Sequence, residues 1–356
     1  DYILVFHNNP QTLEGSRSSK EREKLINNCS KIIFVSNWVK EKFFQGLNIK
    51  NSENCEIIYP SIDPIDKMPK KEKIITFVGK LNHSKGYDLF GKSIIKILNE
   101  HKDWKALVIG DEPREKYDFT HSRLKLIGWV PHNQTLKFFE KSSITVVPST
   151  WEEPFGRTAL EAGSRGSSVI LSKIGGLIET ISDGFYLKKI NSHELYRNLK
   201  KLINSKKLRV DNQKKLLCIT SAMSLIKNLT PENENNIEIF NLIKNFFNIL
   251  ENKNWLKNYI NWELMLLKYL GYDLNLKNIV HKENVNNNEV YYVKSSTQKK
   301  IVPNFLIKES VENVDNVEIL KGLTIVTNYM EKNIFSPNNM KIPTQRKEFE
   351  NLLNKQ

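Results

Sequence analysis

Short apolar runs alternate with helical patterns from residue 1 to about residue 205. These runs are rich in isoleucine and valine, which is typical of strands. Continuous apolar strands separated by helices are typical of parallel sheets covered on both faces, so the pattern predicts an α/β fold. The predicted strands are Ile3–Phe6, Ile32–Val35, Glu56–Tyr59, Ile74–Val78, Ala106–Ile109, Leu124–Ile127, Ile144–Val147 and Val169–Leu171.

Two local sequence features of this first part predict a helix start and a linker. Ser36 precedes a helical pattern that contains Val39, Phe43 and Phe44, so Ser36 is a predicted N-cap. The segment 60–71 is polar, carries three prolines and has no periodicity, which predicts a linker between two α/β domains.

Helical spacing replaces the strand pattern beyond about residue 205. Apolar residues recur at helical spacing over 239–250, and 255–270 predicts a buried helix that ends at Gly271. This half is therefore expected to be mainly α-helical and to form a different domain. Its other predicted elements are a polar loop at 283–288, a short strand at 290–293 and a helix at 322–330.

The bulk composition narrows the classes of function. The 356 residues carry a net charge of +14, which permits binding to nucleic acid, anionic membranes or phosphorylated substrates, but the lysines are scattered along the chain. Cys29, Cys55 and Cys218 form no CxxC pair, so neither zinc nor a disulfide framework is expected, and a cytoplasmic location fits. No apolar run predicts a transmembrane segment or a signal peptide, and a start at Asp1 suggests that the chain begins within a domain.

The segment Glu153–Glu161 carries the strongest chemical signal. It follows a predicted strand, so Glu153 is expected in a loop at the strand's carboxyl end and Glu161 about one turn into the next helix. In open α/β sheets ligands bind in that crevice. The amides of a helix start suit a phosphate, while a carboxylate accepts hydrogen bonds from sugar or ribose hydroxyls. The segment therefore predicts a site for a nucleotide-sugar.

A second connection offers positive charge. Gly79 ends a predicted strand and allows a close approach of the backbone to a ligand. Lys80 and Lys85 follow on the same connection, from which both could reach a diphosphate. The alternative is that both lysines are solvated surface groups, as most lysines are.

The motifs of the first half occur in a fixed order. Gly79-Lys80 and Lys85-Gly86 are followed by Leu107–Asp111, Leu126–Pro131, Val147–Ser149, Glu153–Glu161 and Gly175–Glu179. This set resembles the C-terminal, donor-binding domain of retaining GT-B glycosyltransferases of family 4, over about residues 70–205 and more loosely back to Asp1. The resemblance implies a Rossmann-like donor domain at 64–205 and, at 1–63, the last part of an acceptor-side domain whose first strands are absent. Activity of the chain alone is therefore uncertain.

The resemblance also implies roles for individual residues. Lys80, where the family usually has arginine, and Lys85 would contact the donor diphosphate, and Glu153 would face the sugar near its anomeric carbon; these three are the catalytic candidates. The backbone at Val130 would read the base and Glu161 would bind the ribose. The implied substrate-binding set is His7, Gly79, Val130, Phe155, Gly156, Arg157, Thr158 and Glu161. His7 is equally consistent with a structural histidine at a strand end.

The implied reaction is glycosyl transfer with retention from a nucleotide-diphosphate-sugar donor to an unknown glycan or lipid-linked acceptor. Lys80, Lys85 and the helix dipole at Arg157 would stabilise the departing diphosphate. No cofactor and no metal are expected, because the family typically needs no metal and the sequence has no Asp-x-Asp signature.

The second half carries a different resemblance. The pattern around Trp255, Tyr259, Trp262 and Glu263 resembles the C-terminal helical domain of the recombination mediator RecO, over about residues 212–352. Most of its motifs are packing positions, so these aromatic residues and Tyr272 could equally be core side chains of any helical domain. No metal is expected, because Ile279 stands where some relatives have a zinc-binding cysteine. The basic cluster Lys294, Lys299 and Lys300 could contact a phosphate backbone or form a solvated loop.

Three hypotheses follow for the whole chain. It is a glycosyltransferase with a non-catalytic RecO-like module at 212–356, or a DNA-repair accessory protein whose α/β domain is silent. In the second case residues 212–356 would bind single-stranded DNA and recombination proteins. The third hypothesis is a chimeric fusion with no joint function.

Overall fold

A computed structural model describes residues 2–63, 65, 67–181, 184–231, 234–285, 288–294, 299–308 and 314–354. The chain divides into two compact units, Asp1–Gln213 and Lys214–Gln356. Within the described residues no helix combines the length and the apolar character that a membrane span requires. The same residues contain no group of three His, Cys, Asp or Glu side chains that could hold a metal ion.

The first unit begins with a small parallel sheet. Its strands β1 (Ile3–Phe6), β2 (Lys31–Phe34) and β3 (Cys55–Ile57) lie in chain order and pack against α1 (Ser19–Asn28) and α2 (Asn37–Phe44). The hydroxyl of Ser36 accepts a hydrogen bond from the Val39 amide at 3.1 Å, which confirms the predicted N-cap of α2.

The same unit continues with a six-stranded parallel sheet in the order β6-β5-β4-β7-β8-β9. Two strands, β5 and β6, lie on one side of β4, and three strands, β7, β8 and β9, lie on the other side, so the strand order reverses between β4 and β7. This reversal is a topological switch point, and it opens a crevice at the carboxyl ends of these two strands. The strands are β4 (Glu72–Val78), β5 (Lys105–Ile109), β6 (Leu124–Gly128), β7 (Ser142–Val147), β8 (Ser168–Ser172) and β9 (Phe185–Leu187).

Helices cover both faces of this sheet. Alternate strand residues point to opposite faces: Ile144 and Val146 pack with α3 (Tyr87–Glu100) and α6 (Ser192–Asn204). Val147 packs with α4 (His132–Lys141) and α5 (Arg157–Ser164) on the other face. Two buried cores therefore enclose the sheet, which confirms the predicted α/β class.

The eight predicted strands all occur, with ends that differ by up to two residues. β9 was not predicted, because Phe185–Leu187 is a three-residue edge strand without an apolar run that marks it. Among the described residues, the segment between β3 and β4 contains neither helix nor strand, as expected of the predicted linker. The domain boundaries proposed at 1–63 and 64–205 stay predictions.

Lys71 is a half-buried lysine just before β4, at the edge of the sheet opposite the switch point. Its Nζ donates to the Phe139 carbonyl at 2.9 Å and to the Arg165 carbonyl, at the ends of α4 and α5. Burial lowers the pKa of Lys71 from its ordinary value of 10.5 to about 7, although Glu140 partly opposes the change.

This pKa predicts a pH dependence of stability. Because the folded pKa lies below the unfolded one, the unfolded chain binds more protons between pH 7 and pH 10.5, and stability rises with pH in that window. The slope is at most about 1.4 kcal/mol per pH unit. In Lys71→Met, the free energy of unfolding measured with urea should no longer rise with pH through this contribution between pH 7 and pH 9. Equal slopes in both proteins would show that Lys71 titrates normally.

The second unit is mainly helical, as predicted. The helix α7 (Lys206–Leu229) contains the boundary between the units. The antiparallel strands β10 (His281–Val285), β11 (Asn288–Lys294) and β12 (Lys299–Val302) form a three-stranded sheet. The remaining helices are α8 (Ile237–Leu250), α9 (Trp255–Tyr269), α10 (Leu276–Ile279), α11 (Asn316–Met330) and α12 (Thr344–Asn354).

Two predictions for this unit need correction. The polar loop predicted at 283–288 was wrong, because Glu283 lies in β10 and Asn288 begins β11; residues 286 and 287 lie outside the described part. Polar side chains suit this hairpin because cross-strand pairing satisfies them: the Glu283 carboxylate accepts from Lys299 Nζ at 2.7 Å and from the Tyr292 hydroxyl at 2.9 Å. The helix predicted at 322–330 begins at Asn316, after the cap residue Asp315.

The core of the second unit contains a buried ion pair. Arg346 Nη2 on α12 lies 3.0 Å from Glu263 Oε2 on α9, and the two side chains are 0% and 1% exposed. Burial raises the pKa of Glu263, while the attraction of Arg346 opposes this change. Trp255, Tyr259 and Trp262 are buried in this unit, as core aromatics would be, whereas Tyr272 is exposed.

Candidate functional site

The loop after β7 leads directly into α5 at the switch point. Gly156 caps α5 with φ +118° and ψ +62°, and no side chain caps the amides that follow it. A Cβ atom at Gly156 would lie 2.4 Å from Leu177 Cδ2, so both the backbone angle and the space require glycine. The start of α5 therefore presents its amides, and the positive end of the helix dipole, to the crevice.

The connection after β4 lies against this loop. The amides of Thr150 and Trp151 donate to the Ser84 carbonyl at 3.0 and 3.2 Å. Gly86 has φ +71°, and a Cβ there would lie 2.0 Å from the Pro148 carbonyl oxygen. This close approach holds the two connections together at the point where the strand order reverses.

A lysine and a glutamate meet between these connections. Lys85 Nζ lies 2.5 Å from Glu153 Oε1, and the Ser149 hydroxyl donates to the same oxygen at 2.7 Å. The Glu153 side chain is 13% exposed and that of Lys85 is 34% exposed. The pair is thus partly shielded from water and still accessible from the crevice. A charged hydrogen bond of this kind fixes both side chains.

The backbone of the Glu153 loop is anchored on two sides. The Gly176 amide donates to the Glu153 carbonyl at 2.7 Å, and the Ser36 hydroxyl donates to the Pro154 carbonyl at 2.6 Å. Phe155 is buried in the core of the small sheet. The position of Glu153 is therefore set by both sheets of the first unit.

Glu179 has a role that the sequence did not reveal. Its carboxylate accepts hydrogen bonds from the Asn37 and Trp38 amides at 2.6 and 2.8 Å, at the start of α2, and from the Tyr59 hydroxyl at 3.0 Å. A carboxylate at a helix start is favoured by the helix dipole. Glu179 thus ties the segment after β8 to the small sheet.

A cavity of about 310 Å³ occupies the crevice at the switch point. Most of the predicted site residues line it, and they come from both sheets of the first unit. These are His7, Gly79, Lys85, Glu153, Phe155, Gly156, Arg157 and Thr158. The cavity is also lined by four residues that were not predicted as site residues: Asn8, Val35, Pro60 and Ser149.

Glu161 lies in a neighbouring cavity of about 190 Å³ that shares Arg157 with the first. Its Oε1 atom accepts a hydrogen bond from His132 Nε2 at 3.0 Å and lies 3.4 Å from Arg157 Nη2. No sequence motif pointed to His132 as a site residue. The only available signal was its position at the start of the helix that follows β6.

Two predicted site residues line neither of these cavities. Lys80 is exposed, and Val130 is half-buried in the connection between β6 and α4. The hydrogen bonds of Arg114 lower the pKa of Glu112 to about 2, and the positive charge of Lys80 makes a smaller contribution in the same direction. Lys80 therefore lies outside the cluster that contains Lys85.

Two family models match adjacent parts of the chain. Residues 60–215 match the family described as glycosyl transferases group 1. Residues 211–341 match the family described as recombination protein O C terminal. Both resemblances drawn from the sequence are confirmed at the level of these two families.

Curated proteins similar to the chain match about half of it. An uncharacterized 42.6 kDa protein in the cps region of Klebsiella pneumoniae is 27% identical over 50% of this chain and 50% of its own. An uncharacterized glycosyltransferase of Methanocaldococcus jannaschii is 30% identical over 51% of this chain and 52% of its own. The chain spans about half the length of these relatives.

One solved structure shows the fold of the first part. The crystal structure of Anabaena HepE in complex with UDP aligns with a TM-score of 0.51 and 18% identity, over 62% of this chain and 67% of that chain. At this identity the likeness concerns the fold alone. It supports the predicted GT-B class for the α/β part.

Proposed function

We propose that the α/β unit, part of which matches the glycosyl transferases group 1 family at residues 60–215, is a retaining glycosyltransferase. The donor would be a nucleoside-diphosphate sugar of the hexose class. The acceptor would be a glycan or a lipid-linked sugar. The observation that carries the proposal is the contact between Lys85 and Glu153 beside the start of α5, in a cavity at the switch point.

Lys85 is proposed to hold the donor diphosphate. Transfer breaks the bond between the anomeric carbon and the diphosphate, so negative charge grows on the leaving group. Lys85 and the uncapped amides at Arg157 and Thr158 supply fixed positive charge on that side of the cavity. Lys80 is exposed, so its proposed contact requires a change of its side-chain rotamer when the donor binds.

Glu153 is proposed to face the sugar. Its Oε1 atom is occupied by Lys85 and Ser149, which fix the carboxylate beside the cavity. Donor phosphates would compete for Lys85 and leave the Glu153 carboxylate free to accept sugar hydroxyls. Glu161 is proposed to bind the ribose, and the backbone at Val130 the base.

The acceptor is proposed to enter from the small sheet. His7 and Asn8 at the end of β1 line the cavity opposite the Glu153 loop. Both side chains are exposed and polar, so they suit hydroxyl groups of a sugar.

The stereochemistry of the product tests this proposal. The full chain should release or transfer the sugar of UDP-glucose, UDP-N-acetylglucosamine or GDP-mannose with its anomeric configuration retained. Proton NMR of the first product formed measures this directly, before mutarotation. A product of inverted configuration would contradict retention, and no turnover of any donor would contradict the activity.

A second candidate function concerns residues 211–341, and the family match is the observation that favours it. It is a DNA-repair accessory role in which this part binds single-stranded DNA. Of the proposed basic cluster, Lys299 is neutralised by Glu283 at 2.7 Å, while Lys300 is exposed; the Lys294 side chain lies outside the described part. The full chain should bind oligo(dT) with an affinity that falls steeply with salt. A salt-independent signal, or none, would contradict this role.

A further inference from the structure

His132 lies where the end of β6 meets the start of α5. It is the first residue of α4, and its ring reaches across to the Glu161 side chain. The His132 side chain is 57% exposed, whereas the Glu161 side chain is 10% exposed. A carboxylate oxygen can only accept, so the imidazole carries a proton on Nε2 and donates to Glu161 Oε1 at 3.0 Å.

The two oxygen atoms of Glu161 differ in their surroundings. His132 and Arg157 both approach Oε1, at 3.0 and 3.4 Å. Across the described residues, no hydrogen bond reaches Oε2. The carboxylate is therefore fixed through one oxygen and can offer the other to the cavity of about 190 Å³ that it lines. A fixed acceptor in a small cavity is what recognition of a ligand hydroxyl requires.

We propose that His132 is a positioning residue for ribose recognition. It holds Glu161 so that Oε2 accepts a hydrogen bond from a ribose hydroxyl of the donor nucleotide. This inference rests on the proposed function and adds to it a residue and a selectivity. A nucleotide that lacks the hydroxyl leaves the shielded carboxylate oxygen without a donor, so the site should discriminate against deoxyribose.

The position of His132 makes this role testable by substitution. Its ring is more than half exposed, and it stands in the first turn of α4. His132→Gln keeps an N–H group near the position of Nε2, and His132→Leu removes it. Lys137→Ala is a matched control, since Lys137 is an exposed residue of the same helix.

The experiment compares affinities by isothermal titration calorimetry on the full chain. The probes are UDP or GDP, whichever the wild type binds more tightly, its 2′-deoxy and 3′-deoxy analogues, and inorganic pyrophosphate. We expect the wild type, Lys137→Ala and His132→Gln to prefer the ribonucleotide over at least one deoxy analogue by about tenfold or more. His132→Leu should bind the ribonucleotide about tenfold more weakly and lose most of this preference. Its affinity for pyrophosphate should not change.

Each outcome separates the inference from the function on which it rests. If the wild type binds pyrophosphate and the ribonucleotide but accepts both deoxy analogues equally, the inference is overturned and the diphosphate site stands. If His132→Leu keeps the full preference, His132 does not position Glu161. If the wild type binds none of the probes, both the inference and the proposed function are overturned.

Discussion

Replacing Lys85 with alanine should lower the rate of sugar transfer by about 10²–10³-fold, the effect typical of removing one preorganised group that stabilises transition-state charge. The physical reason is the place of Lys85 Nζ, 2.5 Å from Glu153 in the cavity at the switch point. Its charge faces the side on which the leaving diphosphate would form. The measurement is the initial rate of nucleoside-diphosphate release at saturating donor.

The control for this prediction is Lys92→Ala, which removes an exposed lysine of α3, the helix that follows Lys85, and should leave the rate unchanged. Lys85→Arg keeps the charge and should recover part of the rate. Because Glu153 loses its ionic partner in Lys85→Ala, thermal unfolding of the variant should be recorded as well. A folded Lys85→Ala protein with a normal rate would remove Lys85 from the mechanism.

Replacing Arg346 with methionine should destabilise the second unit by about 3–5 kcal/mol, because it leaves the Glu263 carboxylate buried without a partner. Arg346 and Glu263 are 0% and 1% exposed, and Arg346 Nη2 also donates to the Leu323 carbonyl at 3.3 Å. Native-state hydrogen exchange of the α9 amides measures this locally in the full chain.

The neighbouring residue supplies a matched control for Arg346. Lys347 on the same helix forms an exposed pair with Glu331 at 3.8 Å, so Lys347→Met should cost less than about 1 kcal/mol. The double variant Arg346→Met with Glu263→Met should recover much of the loss, since it removes both buried charges. If Arg346→Met and Lys347→Met lowered the free energy of unfolding equally, the buried ion pair would stabilise the second unit no more than the exposed one.

Local patterns predicted the elements and part of the site. Runs of isoleucine and valine marked eight strands, and the spacing from Glu153 to Glu161 placed one acid in a loop and the other on a helix. These features depend on neighbours in the chain, so the sequence is sufficient for them. The N-cap at Ser36 also depends only on nearby residues, because the Ser36 hydroxyl accepts from the amide of Val39.

Contacts between distant segments could not be predicted in this way. His132 meets Glu161 only because β6 and β7 end at the same edge of one sheet. Glu179 meets the start of α2 through a contact 141 positions apart along the chain. The position of Lys80, outside the cavity that Lys85 lines, likewise depends on the path of the connection after β4 rather than on residue type.

The binding of a nucleoside diphosphate at the switch point is the central claim. Titration calorimetry of the wild type with UDP and GDP, beside the double variant Lys85→Ala with Glu161→Ala, tests it most directly. One nucleotide should bind the wild type at a single site per chain, and the double variant should bind it at least about a hundredfold more weakly, as expected for the loss of two charged contacts. Equal binding by both proteins, or no binding of either nucleotide to the wild type, would contradict the claim.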